Sequence, residues 1–242
     1  MNKEIELINL SNPKNIAELL KEPAVKMAEV ITGVLISNKD DWKLSAGKLV
    51  QAALKSTLFQ QLGREIKDYQ EKGRIAEDYL VDPKNLESLH DILNFIDETP
   101  PDGNRFDAMK RLFLKSTETN ISTSDQVLTH HFMKICRQLE SGHLLVLKSA
   151  YDISNRRVSP KASPDPNNID LHTHHRANWL AIIANQIGHG LSSLVEIYEN
   201  KLIELKLITS ITMPDQSGIG KTDHFRLTDV GYKFCEFLYK NE

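Results

Sequence analysis

A chain of 242 residues, 26% charged and 40% hydrophobic with a formal net charge of -3, has the makeup of an ordinary globular protein. Its length suits one large or two small domains able to bury roughly 70% of the unfolded surface, and its composition excludes wholesale disorder. Two cysteines, Cys136 and Cys235, without a CxxC pair, exclude a disulfide scaffold or a zinc ribbon and predict reduced thiols in a cytoplasmic protein. The slightly acidic total gives no global attraction to nucleic acid. The opening MNKEIE lacks the basic and apolar regions of a secretory signal. Residues 24–36, the most apolar stretch, are interrupted by Lys26 and Glu29 and are too short to span a bilayer. No membrane partner and no cofactor are expected.

Apolar residues recur at helical spacing almost everywhere before residue 155. Ile16, Leu19, Leu20, Met27, Val30, Ile31, Val34 and Leu35 predict one or two helices with a break or first turn at Pro23. Leu49, Ala52, Ala53, Leu58, Leu62, Ile66 and Tyr69 predict a long helix over 42–72, ended by Gly73. A shorter one after Pro83 stops at Pro100-Pro101. Others begin near Arg105, run over 124–139, and run over 141–153. No hairpin turn flanked by alternating hydrophobics occurs in this part, so residues 1–138 are read as a helical region suited to dimerisation or docking. Between residues 82 and 107, Asp82, Glu87, Asp91, Asp97, Glu98, Asp102 and Asp107 face only Lys84 and Arg105; Lys110, Arg111 and Lys115 follow. Solvated helix faces account for this unevenness, and an acidic docking surface is the sharper reading. Residues 155–170, NRRVSPKASPDPNNID, carry three prolines and almost nothing to bury, as a mobile loop would.

The pattern changes in the last third. Trp179, Ile182, Ile183 and Ile187 predict a helix ending at Gly188-His189-Gly190. Leu191, Leu194, Val195, Tyr198, Leu202 and Leu205 then form one helical stripe that Ser192 or Ser193 can cap. Residues 208–213 and 222–227 alternate around the turn-rich PDQSGIGK, predicting a β-hairpin with a long tip. Thr228 can cap a last helix buried through Val230, Phe234, Phe237 and Leu238, with Asp229 at its positive end. The expected fold is mainly α: a helical N-terminal region, then over 139–242 a winged-helix domain with a small hairpin wing and the proline-rich insertion.

LVEIYENKLIELKLI (194–208) followed by FRLTDVGYKF (225–234) resembles the MarR-like winged-helix pattern, in which a helix ends in Leu-x-x-x-Gly-Leu-Ile, a wing follows, and Leu-Thr-x-x-Gly opens the next helix. Lys206 stands where that pattern has glycine. LESGHLLVLKSAY (139–151) resembles the first helix of such a domain. The whole layout is also similar to uncharacterised bacterial proteins of abortive-infection (Abi-alpha-like) type.

The resemblance implies a helix over 191–206 in the major groove of duplex DNA and a wing over the backbone. The helix offers Ser192, Ser193, Glu196, Glu199, Asn200 and Glu204 beside Lys201 and Lys206, a poor match to a polyanion. The wing offers Lys221, His224 and Arg226; the insertion and its flank offer Arg156, Arg157, Lys161 and Arg176. Two readings follow. One is a non-enzymatic regulatory protein that binds duplex DNA as a homo-oligomer. The other is an adaptor or accessory subunit of a bacterial defence assembly, with the winged helix docked on protein.

Three motifs suggest chemistry that their context argues against. IDLHTHH (169–175) resembles the Asp-x-His-x-His opening of amidohydrolase-like and PHP-like metal hydrolases, with His172, His174 and His175 as remote metal ligands. Too few residues follow to complete such a barrel, which takes about 200 or more. SGIGKT (217–222) resembles the end of a P-loop, but Asp215 occupies the first glycine position and no helix is expected next. His130 and His131 are adjacent on a helix and point about 100° apart, so one is expected at an interface and the other exposed.

Overall fold

The computed structural model describes residues 42–75, 79, 82–97, 102–158, 175–188, 192–213, 215–220 and 222–240. The helices expected before residue 42, residues 159–170 of the proline-rich segment, and Lys161, His172, His174 and Lys221 lie outside the described residues. Among the described residues the protein is mainly helical, with eight helices: α1 (Trp42–Glu71), α2 (Pro83–Asp97), α3 (Gly103–Ser116), α4 (Thr123–Cys136), α5 (Ser141–Ser154), α6 (Arg176–Gln186), α7 (Ser192–Glu204) and α8 (Asp229–Tyr239). None of them is long and apolar enough to cross a membrane.

The chain divides into two compact units, Met1–His130 and His131–Glu242. The division falls inside α4, eight residues ahead of the boundary expected between 138 and 139. In the first unit α1, α2 and α3 pack on one another around Leu62, Leu89, Ile92, Ile96, Phe106, Met109 and Phe113. Asp102 caps α3 by accepting from the Arg105 amide at 3.1 Å. Gly73, at φ 66°, ends α1: its amide reaches the Gln70 carbonyl at 2.9 Å and the Arg74 amide reaches that of Tyr69 at 2.8 Å, a Schellman closure.

The charge unevenness around this unit is not wholly a matter of solvated faces. Lys110 is buried, with its ammonium 2.6 Å from Glu65 and 3.0 Å from Asp107. Asp91 is buried as well. His130 lies half-buried with Nδ1 3.0 Å from Ser88 Oγ, while His131 is exposed, as expected of helix neighbours.

In the second unit α5 packs on α6, α7 and α8, and α6 on α7. The core gathers Phe132, Leu147, Trp179, Ile183, Val195, Leu202, Leu207, Leu227 and Phe234. Phe132 meets Phe234 edge-on at 5.3 Å and Phe237 at 5.5 Å. Gly142 lets α7 lie close against α5: a Cβ there would fall 2.0 Å from Tyr198 Cζ. Both cysteines are buried thiols, and burial pushes the Cys235 thiol up, which makes it a poor nucleophile.

His143, on the α5 turn beside Gly142, is buried against the Tyr198 ring at 4.8 Å, and its Nδ1 accepts from the Glu140 amide at 3.1 Å. Burial holds this imidazole below its ordinary value of 6.5; the Lys201 charge adds to that, and Glu140 opposes it. Between the folded value and 6.5 the unfolded chain binds more protons, so the stability from His143 is complete above 6.5 and is lost as pH falls through the folded value. The urea midpoint of the second unit is expected to drop between pH 7 and pH 5. His143→Gln, which keeps an acceptor at the third helical position, is expected to flatten that slope. A slope unchanged by the substitution would place the titration elsewhere.

Lys206 ends α7 at φ 59°. Its amide reaches the Ile203 carbonyl at 2.9 Å, and the Leu207 amide reaches that of Leu202 at 2.9 Å, so a lysine occupies the left-handed closing position that glycine suits best. Lys206→Gly is expected to raise the thermal midpoint by relieving left-handed strain worth on the order of 1 kcal/mol, partly offset by glycine's unfolded-state entropy. An unchanged or lower midpoint would count against it.

The continuous hairpin expected over 208–227 is not formed among the described residues. The chain instead makes isolated antiparallel bridges, Ile208 to Leu227 and Ile211 to Ile219, with a third from His175 to Gly218. The cause lies in residues 224–227. Phe225 and Arg226 adopt φ 49° and 70°, and the Leu227 amide reaches back to the His224 carbonyl at 3.0 Å. Left-handed φ at both central positions is the pattern of a type I′ turn, which takes the chain out of strand register. Phe225 and Leu227 are both buried, as their alternation implied, but a turn rather than a strand puts them there.

Candidate functional site

The residues expected to meet a partner lie on α7, on the bridged segment after it, and at the end of α5. The α7 stripe Val195, Glu199, Leu202 faces inward, and Glu199 is 0% exposed. This corrects its placement on the outer face. Its carboxylate is shared: Oε1 takes Arg226 Nη1, and Oε2 takes Arg176 Nε at 2.8 Å and Nη2 at 2.6 Å.

Arg226, expected as a wing residue over a phosphate backbone, is likewise 0% exposed. Besides Glu199 it donates Nη2 to the Thr209 carbonyl at 3.1 Å, and its guanidinium lies 4.4 Å from the Trp179 ring centroid. Burial lowers the guanidinium from its ordinary value and the Glu199 charge opposes this. The cation stays protonated because its intrinsic affinity for the proton is so high. Arg176 also binds Glu196 Oε1 at 2.7 Å, and its hydrogen bonds to Glu199 raise it from the ordinary value. Two arginines and two carboxylates from α6, α7 and the turn before α8 thus form one chain of ion pairs running from the core to the surface.

The other expected contacts are similarly engaged. Arg157 donates to the Tyr239 carbonyl at 2.9 Å and the Lys240 carbonyl at 3.1 Å, closing the negative end of α8, and sits 3.4 Å from Asp152. Arg156 is exposed and closes α5 in a left-handed conformation at φ 56°. Lys201 pairs with Glu204 at 2.9 Å. His224 stacks on Tyr232 at 4.0 Å. Ser192 is half-buried, whereas Ser193, Glu196 and Asn200 are exposed.

What the sequence reading missed is the apolar content of this surface. Ile197 is 65% exposed and Met213 55%, the two largest values for big hydrophobic side chains among the described residues. Covalent and hydrogen-bonded links join them. Met213 packs against Gly218, whose added Cβ would fall 2.5 Å from Met213 Cγ. Gly218 bridges to His175, and the Arg176 amide donates to the Ser217 carbonyl at 2.8 Å. Arg176 then binds Glu196, the neighbour of Ile197. One spacing could have flagged the buried carboxylate: Glu199 lies four residues after Val195 and three before Leu202, inside the apolar stripe.

Among the described residues the remaining motifs gather no reactive centre. Among the described residues no group of three or more His, Cys, Asp or Glu side chains is gathered as a metal site requires, and His175 is exposed on its bridge to Gly218. In the glycine-rich tip, Ser217 donates Oγ to Asp215 at 2.7 Å, and no helix follows directly as phosphate binding by a P-loop requires. Comparison with protein families, curated proteins and solved structures finds no match to this chain.

Proposed function

We propose that the second unit is a MarR-like winged-helix module of a non-enzymatic protein, and that its outer face docks on another protein. The observation that supports this most is the fate of the cations. Arg226, Arg176, Arg157 and Lys201 are used in internal pairs and caps, while Ile197 and Met213 are left in solvent. A surface that meets phosphates needs cations aimed outward, whereas a protein interface needs apolar anchors with a polar rim. The adaptor reading, an accessory subunit of a bacterial defence assembly, belongs with this proposal, and the Abi-alpha-like layout is its support. Homo-oligomerisation through the helical first unit remains part of the same reading.

Duplex DNA is the second reading, favoured by the exposure of Arg156 and Lys206. Two phosphate contacts predict only about a tenfold loss of affinity between 50 and 200 mM salt.

The test is co-purification of the tagged full chain from its native cells with and without nuclease. A stoichiometric protein partner that survives nuclease treatment is expected. Association that disappears with the nucleic acid would overturn the reading.

A further inference from the structure

The geometry points to a specific docking face and a specific partner chemistry: Ile197 and Met213 receive a basic, amphipathic protein segment that seats apolar side chains on them and sets lysine or arginine against Asp215, Glu196 and Glu204. This rests on the protein-docking reading and names what the partner must carry. Ser193, Glu196, Ile197, Asn200 and Glu204 share one stripe of α7 by their spacing, and all are exposed. Met213 lies against Gly218, which bridges to His175, and the next residue, Arg176, pairs with Glu196 of this stripe.

The sign of the partner follows from which ends of the ion pairs reach solvent. In the Arg176–Glu196 pair the arginine side chain is 12% exposed and the carboxylate 50%; in the Lys201–Glu204 pair the lysine is 30% exposed and the carboxylate 65%. Asp215 is exposed beside His175, and its bonds from Ser217 hold it below the ordinary carboxylate range, so it is charged at neutral pH. In each pair the carboxylate is the more exposed partner. The face is therefore acidic around an apolar centre, although its composition is nearly balanced. A nucleic acid or an acidic peptide meets like charge there, and a basic segment with two apolar anchors meets complementary charge.

The test uses the full chain and two fluorescent helical peptides of about 18 residues, each with leucine on one face. One carries lysine on the other face, the second glutamate. The lysine peptide is expected to bind at least tenfold more tightly than its glutamate counterpart. Ile197→Ser and Met213→Ser are each expected to weaken it about tenfold, while Val127→Ser, at an exposed valine on α4, leaves it unchanged. None of these substitutions adds or removes charge, and each site is already exposed, so folding is preserved; an unchanged thermal midpoint checks this. Equal binding of both peptides, or insensitivity to Ile197→Ser and Met213→Ser, would overturn the inference. If that happens while a nuclease-resistant protein partner is still retained, docking occurs on another face. Loss of the partner as well removes the reading beneath it.

Discussion

Replacing Gly231 with alanine is expected to unfold the second unit or to cost it on the order of 3 kcal/mol. An added Cβ would lie 1.9 Å from the Leu207 carbonyl oxygen, 2.8 Å from its carbon and 3.0 Å from its Cα. All three are backbone atoms at a fully buried residue, so no rotamer change relieves the clash. The same oxygen accepts from the Thr228 amide at 3.1 Å, and Thr228 Oγ1 accepts from the Gly231 amide at 3.0 Å while donating to the Lys206 carbonyl at 2.6 Å. Moving the start of α8 away from Leu207 therefore breaks its cap together with the join to the end of α7. This gives a physical reason for glycine three residues after threonine in LTDVG. Gly103, where an added Cβ meets nothing within 4 Å, is the control: Gly103→Ala is expected to change the urea midpoint little. A mild effect at Gly231 would contradict the close approach of α8 to Leu207.

Arg226→Met is expected to destabilise the same unit by about 3 kcal/mol, the lower end for a buried pair broken from one side, because Glu199 keeps Arg176. The loss arises from the buried Glu199 Oε1 left without its partner, not from the missing side chain. Replacing both with Arg226→Met and Glu199→Leu leaves Arg176 on Glu196 and is therefore expected to recover part of it, with a coupling of at least about 1 kcal/mol in a double-mutant cycle. Additive losses would show that the two side chains stabilise the unit independently. The turn at Phe225 and Arg226 holds two non-glycine residues at positive φ, each costing on the order of 1 kcal/mol, and burial of both side chains is what offsets that strain.

The helices from α1 to α8 were legible because their apolar residues recur at helical spacing, and because Gly73 and Thr228 mark ends by chemistry that acts within a turn. What the sequence obscured depends on partners distant along the chain. Alternation in 222–227 reads as a strand, yet two left-handed residues turn it, and nothing local in His-Phe-Arg-Leu signals them. Arg226 reads as a surface cation because its partner, Glu199, is 27 positions away, and Glu199 reads as a surface acid for the same reason. Arg157 is opposite the end of α8, more than 80 positions on. Charges were thus assigned to solvent whenever their counter-ion or carbonyl came from another element. Ile197 was passed over because an isolated apolar residue on a polar face carries no periodic signal.

The most direct measurement is the salt dependence of binding between the full chain and a random-sequence DNA duplex, followed by fluorescence anisotropy from 20 to 200 mM salt. With Arg226 and Arg176 committed to ion pairs inside the fold and Arg157 bonded to the end of α8, weak association is expected, with a log–log slope of about -2 or shallower. A slope of -5 or steeper, reduced by Arg156→Ala or Lys206→Ala, would contradict the account and return the outer face to DNA.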